Sequence, residues 1–443
     1  MNIRQSAADQ AATRVPGGMG ESPATTAARA APTEPRQHGR EFAEGSRLAR
    51  LLINRDFAIF SGGAFISATG SWFQVVALGW LVVSVGGRNA GFLLGLVGFA
   101  SLMPILVLGL VGGLLADRLN RRLLLLGTGV FNAVALLVLA FFTATNRATP
   151  PVILAFALIM GIVSALTWPT WQALINDLVV PRDLPRAIAF NSARFNMTRV
   201  IGPAVGGALL TLIGPAWCFT ANAATTIGVS ISLIVLRLPP PPRPRREPLR
   251  DALLGGLIYA RTAPRARTIL LATAALGMLG FPYNSFLPAF AKGVLHAGPG
   301  GLGLLLTAVG AGALFGAITS GASWVIGHRR YVLAGALALF GLADAAFAAS
   351  PALPLSMAAL AILGFAMLLY LSTANTALQS EAPPAVLGRL MGVWVIVTSG
   401  ATPLGSLAMG ALTAATSVQV AVGLGGAACV VCGLLLSRTT HLA

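Results

Sequence analysis

The chain has 443 residues, of which 56% are hydrophobic and only 10% charged, with a formal net charge of +17. A water-soluble domain carries about 25% charged residues, so too little charge is present to cover a water-facing surface, and the apolar excess must face lipid. The arginines sit in short loops between apolar runs rather than on one basic face, which argues against nucleic acid as a partner.

Residues 1–50 are rich in Ala, Arg, Pro, Thr and Gly and hold no apolar run. They lack the apolar core of a signal peptide and are expected to form a disordered tail. Beyond them, residues 57–87, 89–116, 123–146, 148–176, 200–236, 268–291, 345–380 and 390–437 contain no Asp, Glu, Lys or Arg. A helix needs ~20 apolar residues to cross the ~30 Å hydrocarbon core. Divided at Gly and Pro breaks, the chain predicts twelve spanning helices: 58–85, 90–116, 122–145, 151–174, 187–213, 216–237, 268–291, 300–325, 331–350, 354–378, 389–413 and 417–437. Continuous apolar runs of this length exclude the two-residue alternation of a transmembrane barrel.

Between the sixth and seventh spans, Leu238-Pro-Pro-Pro-Pro-Arg-Pro-Arg-Arg is stiff, basic and polyproline-like. It predicts a division into a six-helix half at 51–237, a linker at 238–266 and a second half at 267–443. Within the linker, Pro248 to Ala263 reads as an amphipathic stretch suited to the membrane surface. If both termini are cytoplasmic, every basic residue except Arg88, Arg147 and Lys292 falls on the inner side, as the positive-inside rule requires. The expected location is therefore the cytoplasmic membrane, as a monomer surrounded by lipid.

The halves look duplicated. Ala173-Leu-Ile-Asn-Asp177 parallels Ala377-Leu-Gln-Ser-Glu381, Arg121-Arg122 parallels Arg329-Arg330, and Gly202-Pro203 with Gly206 parallels Thr402-Pro403 with Gly405. The pairs are about 200 residues apart and in one order, and parallel repeats of this kind place a substrate path at their interface.

After the second span the chain reads Gly113-Leu-Leu-Ala-Asp117-Arg118-Leu-Asn120-Arg121-Arg122. This resembles the G-x-L-A-D-R-x-G-R-R/K signature of the major facilitator superfamily, with Asn120 in the place of Gly; Asn tolerates the left-handed turn expected there. Gly202-Pro203-Ala-Val-Gly206-Gly207 is similar to that superfamily's antiporter-type motif, and Gly70 to Trp80 resembles its enterobactin-exporter and macrolide-efflux branch. The resemblance implies an all-α membrane protein with twelve transmembrane helices in two pseudo-symmetric six-helix bundles. It also implies that Asp117 meets the start of span 11 near Gly388 and Arg389, so that Gly113, Asp117, Arg118, Arg121, Arg122 and Arg389 form an inner gate. Gly109 with Gly113, and Gly202 with Gly206, have the GxxxG spacing that lets helix backbones approach closely.

Polar side chains inside the spans are the candidates for a substrate path. They are Ser67, Ser71 and Gln74; Trp168, Trp171 and Gln172; Ser192, Asn196 and Arg199; Tyr283 and Asn284; Tyr370, Ser372, Asn375 and Thr376; and Trp394 and Thr398. This mixture suits an amphipathic, weakly charged or anionic organic molecule, although a helix–helix hydrogen bond explains any one of them equally well. Arg199 lies within span 5, with Arg194 nearer its start, and either an anionic substrate group or a carboxylate such as Asp177 would satisfy Arg199. Asp344 is the only acid well inside a predicted span and so the candidate for proton coupling; the alternative is local packing. Cys218, Cys429 and Cys432 read as small packing residues.

No cofactor is expected. The sole lysine, Lys292, is followed by Gly, so no Walker loop is present, and no metal-protease or triad pattern appears. The residues favour a secondary transporter working by alternating access, with export and proton antiport implied by the resemblance. An uptake carrier and a non-transporting receptor or scaffold of the same fold are the alternatives.

Overall fold

The computed structural model describes residues 55–236 and 249–438. The expected tail and the proline-rich start of the linker lie outside these residues, as do the side chains of Asp117 and Asp177. Fourteen helices follow in order among the described residues. The first half comprises α1 (Arg55–Val85), α2 (Ala90–Arg118), α3 (Arg121–Ala144), α4 (Pro150–Leu178), α5 (184–213) and α6 (215–235). The linker helix α7 (Leu249–Thr262) leads into α8 (Pro264–Val294) and α9 (Gly298–Thr319). Then come the short α10 (Ser323–Gly327), α11 (Arg329–Ala349), α12 (Leu353–Glu381), α13 (Pro384–Ala415) and α14 (Val418–Arg438).

Among the described residues, eleven continuous helices are long and apolar enough to span a membrane. One of them, Leu184–Val235, is two spans joined at Gly214, whose φ of 78° breaks the helix just before Pro215. Glycine adopts that left-handed conformation without penalty, and proline donates no hydrogen bond back across the joint. The count is therefore twelve. Three sequence expectations change. The eighth span ends at Thr319 rather than near 325, because Ser320, Gly321 and Ala322 form a turn before α10. The seventh is not a plain helix: π-helical turns at Leu276–Gly280 and Phe290–Val294 interrupt it, where Pro282 and Pro288 remove donors from the ladder. Asn120 does not turn left-handed; it is extended (φ −64°, ψ 109°) and caps α3, its side chain accepting from the Arg122 and Leu123 amides at 3.0 and 3.4 Å.

Because every span crosses, helix ends fall on two sides. The terminal side carries the start of α1 and the end of α14, and the far side carries Val85, Val294 and Ala415. The Arg-Arg pairs do the same work in each half on the terminal side. Arg122 donates to the carbonyls of Ile234 and Leu236 at the end of α6, and Arg330 donates to the Ser437 carbonyl at the end of α14 at 2.8 Å. A guanidinium at a helix C-terminus satisfies orphan carbonyls and opposes the helix dipole. Large apolar side chains such as Phe131, Val134, Phe141, Ile231, Leu424 and Val431 are exposed on α3, α6 and α14, the faces that meet lipid.

The halves touch through α2 with α13 and α5 with α9. A Cβ on Gly95 would lie 2.6 Å from the Gly410 Cα, and one on Gly207 would lie 2.7 Å from the Gly303 Cα. Both contacts lie towards the far side. Towards the terminal side, a Cβ added to Gly109 or Gly113 of α2, or to Gly388 or Gly392 of α13, would meet no atom within 4 Å. Among the described residues, a Cβ on Gly109 or Gly113 would therefore meet open space, while Gly112 meets α4 at Ala165. The halves part towards the terminal side. Lys292 of α8 closes the far side, donating to the Val83 carbonyl at 3.1 Å near the C-terminus of α1 and lying over the Trp80 ring at 5.9 Å. Lys292→Met is expected to shift the population with separated far-side ends of α1 and α8 upward by roughly tenfold. Pulsed electron spin resonance distances between labels on those ends measure this, and an unchanged distribution would show that the lysine does not hold the closure.

Candidate functional site

A cavity of about 430 Å³ opens among α1, α3, α4, α5 and α6. The sequence explains its lining. On α1, Ser67 and Ser71 lie four residues apart on one face, and Phe60 and Ala64 continue that face. On α4, Ser164, Thr167, Trp168, Trp171 and Gln172 line it, and on α5 Asn191, Ser192, Arg194, Phe195 and Asn196 do so. Thr128 and Asn132 of α3 and Thr226 and Ser230 of α6 complete the back wall.

Two aromatic pairs frame the recess. Phe60 and Trp171 tilt against each other with centroids 5.3 Å apart, and Trp168 meets Phe195 edge-on at 5.8 Å. Such pairs hold flat apolar walls in place. Much of the polar lining is already bonded within its own helix: Ser71 donates to the Ser67 carbonyl at 3.0 Å and Asn196 to the Ser192 carbonyl at 2.9 Å. Arg194 donates through Nη2 to Asn191 Oδ1. Two atoms of the lining are buried with no partner, Arg194 Nη1 and Asn132 Oδ1.

Of the path residues expected from sequence, the structure brings Ser67, Ser71, Trp168, Trp171, Gln172, Ser192 and Asn196 together in this recess. Gln74 is turned away and accepts from Asn222 Nδ2 at 3.0 Å, tying α1 to α6. Arg199 lies deeper on α5, within electrostatic reach of Tyr283 on α8. Its carbonyl packs against Gly310, so α5 also touches the other half there. Tyr283 is itself buried, and Asn284 beside it is exposed. Tyr370 is buried in the second half, its hydroxyl 3.1 Å from Thr273 Oγ1, an α8–α12 bond rather than a lining group. Asn375 accepts from Gln379 on its own helix, and Thr398 donates to the Trp394 carbonyl at 2.9 Å.

The other expected groups sit as follows. Gly202 packs on Trp72 of α1, Gly206 lies against Phe73, and Gly207 together with the Pro203 carbonyl meets Gly303 across the halves. Of the residues assigned to an inner gate, Arg122 is spent on the end of α6. Arg389 lies against Gly255 and Gly256 of α7, so the linker helix docks on α13 and does not rest on lipid alone. Arg118 is exposed, and Arg121 begins α3. Asp344 is fully buried on α11 beside Gly426 of α14, with both carboxyl oxygens lacking a partner.

Comparison with known proteins decides the family. Residues 47–442 match the model of the transmembrane secretion effector family. The chain belongs to this family of the major facilitator superfamily. It is 30% identical over 336 residues to the enterobactin exporter EntS of Citrobacter koseri, covering 74% of this chain and 78% of that protein. The same fold is seen in a crystal structure of the nucleoside transporter NupG, with a TM-score of 0.67 at 14% identity over 86% of this chain and 97% of that one. A D-xylose-proton symporter gives a TM-score of 0.66 at 15% identity over 88% and 98%. The protein is thus a multi-pass membrane transporter of the secretion effector family, not an enzyme.

The sequence reading named no residue of the α3 and α6 wall. The pairs Thr128/Asn132 and Thr226/Ser230, each four residues apart, were the available signal. Tyr370→Phe is expected to lower thermal stability in detergent by about 1 kcal/mol and leave transport unchanged. A transport loss with unaltered melting would return Tyr370 to the substrate path.

Proposed function

We propose that this transporter exports an amphipathic organic small molecule from the cytoplasm by alternating access, in exchange for protons. One observation carries the reading: the far side is sealed by backbone-close glycine contacts and Lys292, while the other side opens onto a recess with aromatic walls and polar groups. A path closed at one end and open at the other is what a carrier presents between turnovers. The placement of basic residues favours the open side as cytoplasmic, with both termini there. The enterobactin-exporter relatives favour a siderophore, drug or secondary metabolite as cargo and export as the direction.

In the opposite state the terminal side closes. We assign that closure to Asp117, at the end of α2, meeting the start of α13 near Gly388 and Arg389, where the N-terminal end of a helix attracts negative charge. Coupling is assigned to Asp344, the only acid among the described residues placed well inside a span, whose two carboxyl oxygens have no hydrogen-bond partner.

Producing the chain in a bacterium lacking its enterobactin exporter is expected to raise secretion of that siderophore severalfold; secretion and drug tolerance both unchanged would remove the export reading. In reconstituted vesicles, Asp344→Asn is expected to abolish the dependence of flux on an imposed pH gradient. Full gradient dependence in that variant would dismiss Asp344 as the coupling group.

A further inference from the structure

The recess holds a cation that no described residue of its walls neutralises. Arg194 reaches the cavity from α5, and one of its terminal nitrogens is held by Asn191 while the other, Nη1, is buried without a partner. Among the described residues, no acidic side chain lines the cavity. The ion pairs among the described residues, at Arg182, Arg186 and Arg265, involve neither Arg194 nor Arg199. Removing a guanidinium from water with one of its donors unfilled is costly, and helices in a membrane keep such a charge where it meets an ion or ligand. The amide of Asn132 adds a second unfilled polar position in the same cavity. After a flip it presents either oxygen or nitrogen.

We propose that the recess within the first half is an anion subsite: it binds the carboxylate or sulfonate of an aromatic organic acid at Arg194. The planar body lies along Trp168 and Trp171, and Asn132 takes a further polar substituent. This deepens the reading of the recess as a substrate site and rests on it. It differs from a binding site shared equally by both halves, since the whole lining comes from α1, α3, α4, α5 and α6. Arg194 acts here by charge and by its planar fork. An ammonium keeps the first and loses the second.

The full-length protein in lipid nanodiscs provides the test, with tryptophan fluorescence titrated by 2-naphthoate and by uncharged 2-naphthamide. The two probes share an aromatic body and differ in charge. Naphthoate is expected to bind roughly tenfold or more tightly than the amide, the range of a charge-assisted hydrogen bond. Arg194→Gln is expected to remove that preference, and Arg194→Lys to keep part of it. If the glutamine variant does not purify as a monodisperse protein, the lysine variant still reads the effect, with a preference smaller than that of the native chain. Equal binding of the two probes, a preference undiminished in both variants, or no saturable binding of either would overturn the proposal. Flux of each probe in reconstituted vesicles separates the two readings. Charge-selective binding without flux would sink the carrier while sparing the anion subsite, and flux indifferent to charge would do the reverse.

Discussion

Helices in a bilayer gain nothing by hiding apolar surface from one another, since lipid is as apolar as leucine. What holds them is close van der Waals contact, and close contact needs small residues. In this chain the contact that organises the rest is the meeting of the halves through glycine: Gly95 with Gly410 on one side of the interface, and Gly207 with Gly303 on the other. Each pair brings main chains together where any side chain would intrude. The α2 and α13 helices, followed to their other ends, carry Gly109, Gly113, Gly388 and Gly392 with open space around them. One interface is therefore zipped over part of its length and ready to be zipped over the remainder. The proposed alternating access would use that property, because small residues at both ends of the seam would let either end close.

Charge is placed with similar economy. Arg122 and Arg330 occupy matching positions in the two halves and satisfy the terminal carbonyls of α6 and α14. The same clamp thus recurs at the matching helix end of each half. Lys292 sits where the end of α1 offers carbonyl oxygens and Trp80 offers a ring face. These cations have partners. Arg194 and Arg330 each keep one buried donor without a partner, and of the two Arg194 is the one that lines the recess.

The halves also use their interiors differently. In the second half, Tyr370 bonds to Thr273 across α8 and α12, and the Tyr283 ring is buried against Phe340. In the first half, serines, asparagines and tryptophans are left around an open cavity. The first half thus carries an open recess, and the second has none of the described lining of that recess.

Length, composition and runs of uncharged residues were enough to determine the spanning helices, because the bilayer imposes one thickness on all of them and a helix is the structure that satisfies its own backbone there. The break at Gly214-Pro215 was legible for the same reason: it depends on near neighbours in the chain. Tertiary structure alone decided which polar residues face a cavity and which are consumed in packing. Gln74 and Ser71 are three residues apart on α1, yet one bonds to Asn222 and the other lines the recess. Helical spacing fixes the angle between two side chains but not what stands opposite each of them, and that is set by helices more than a hundred residues away in sequence, such as α6 facing α1.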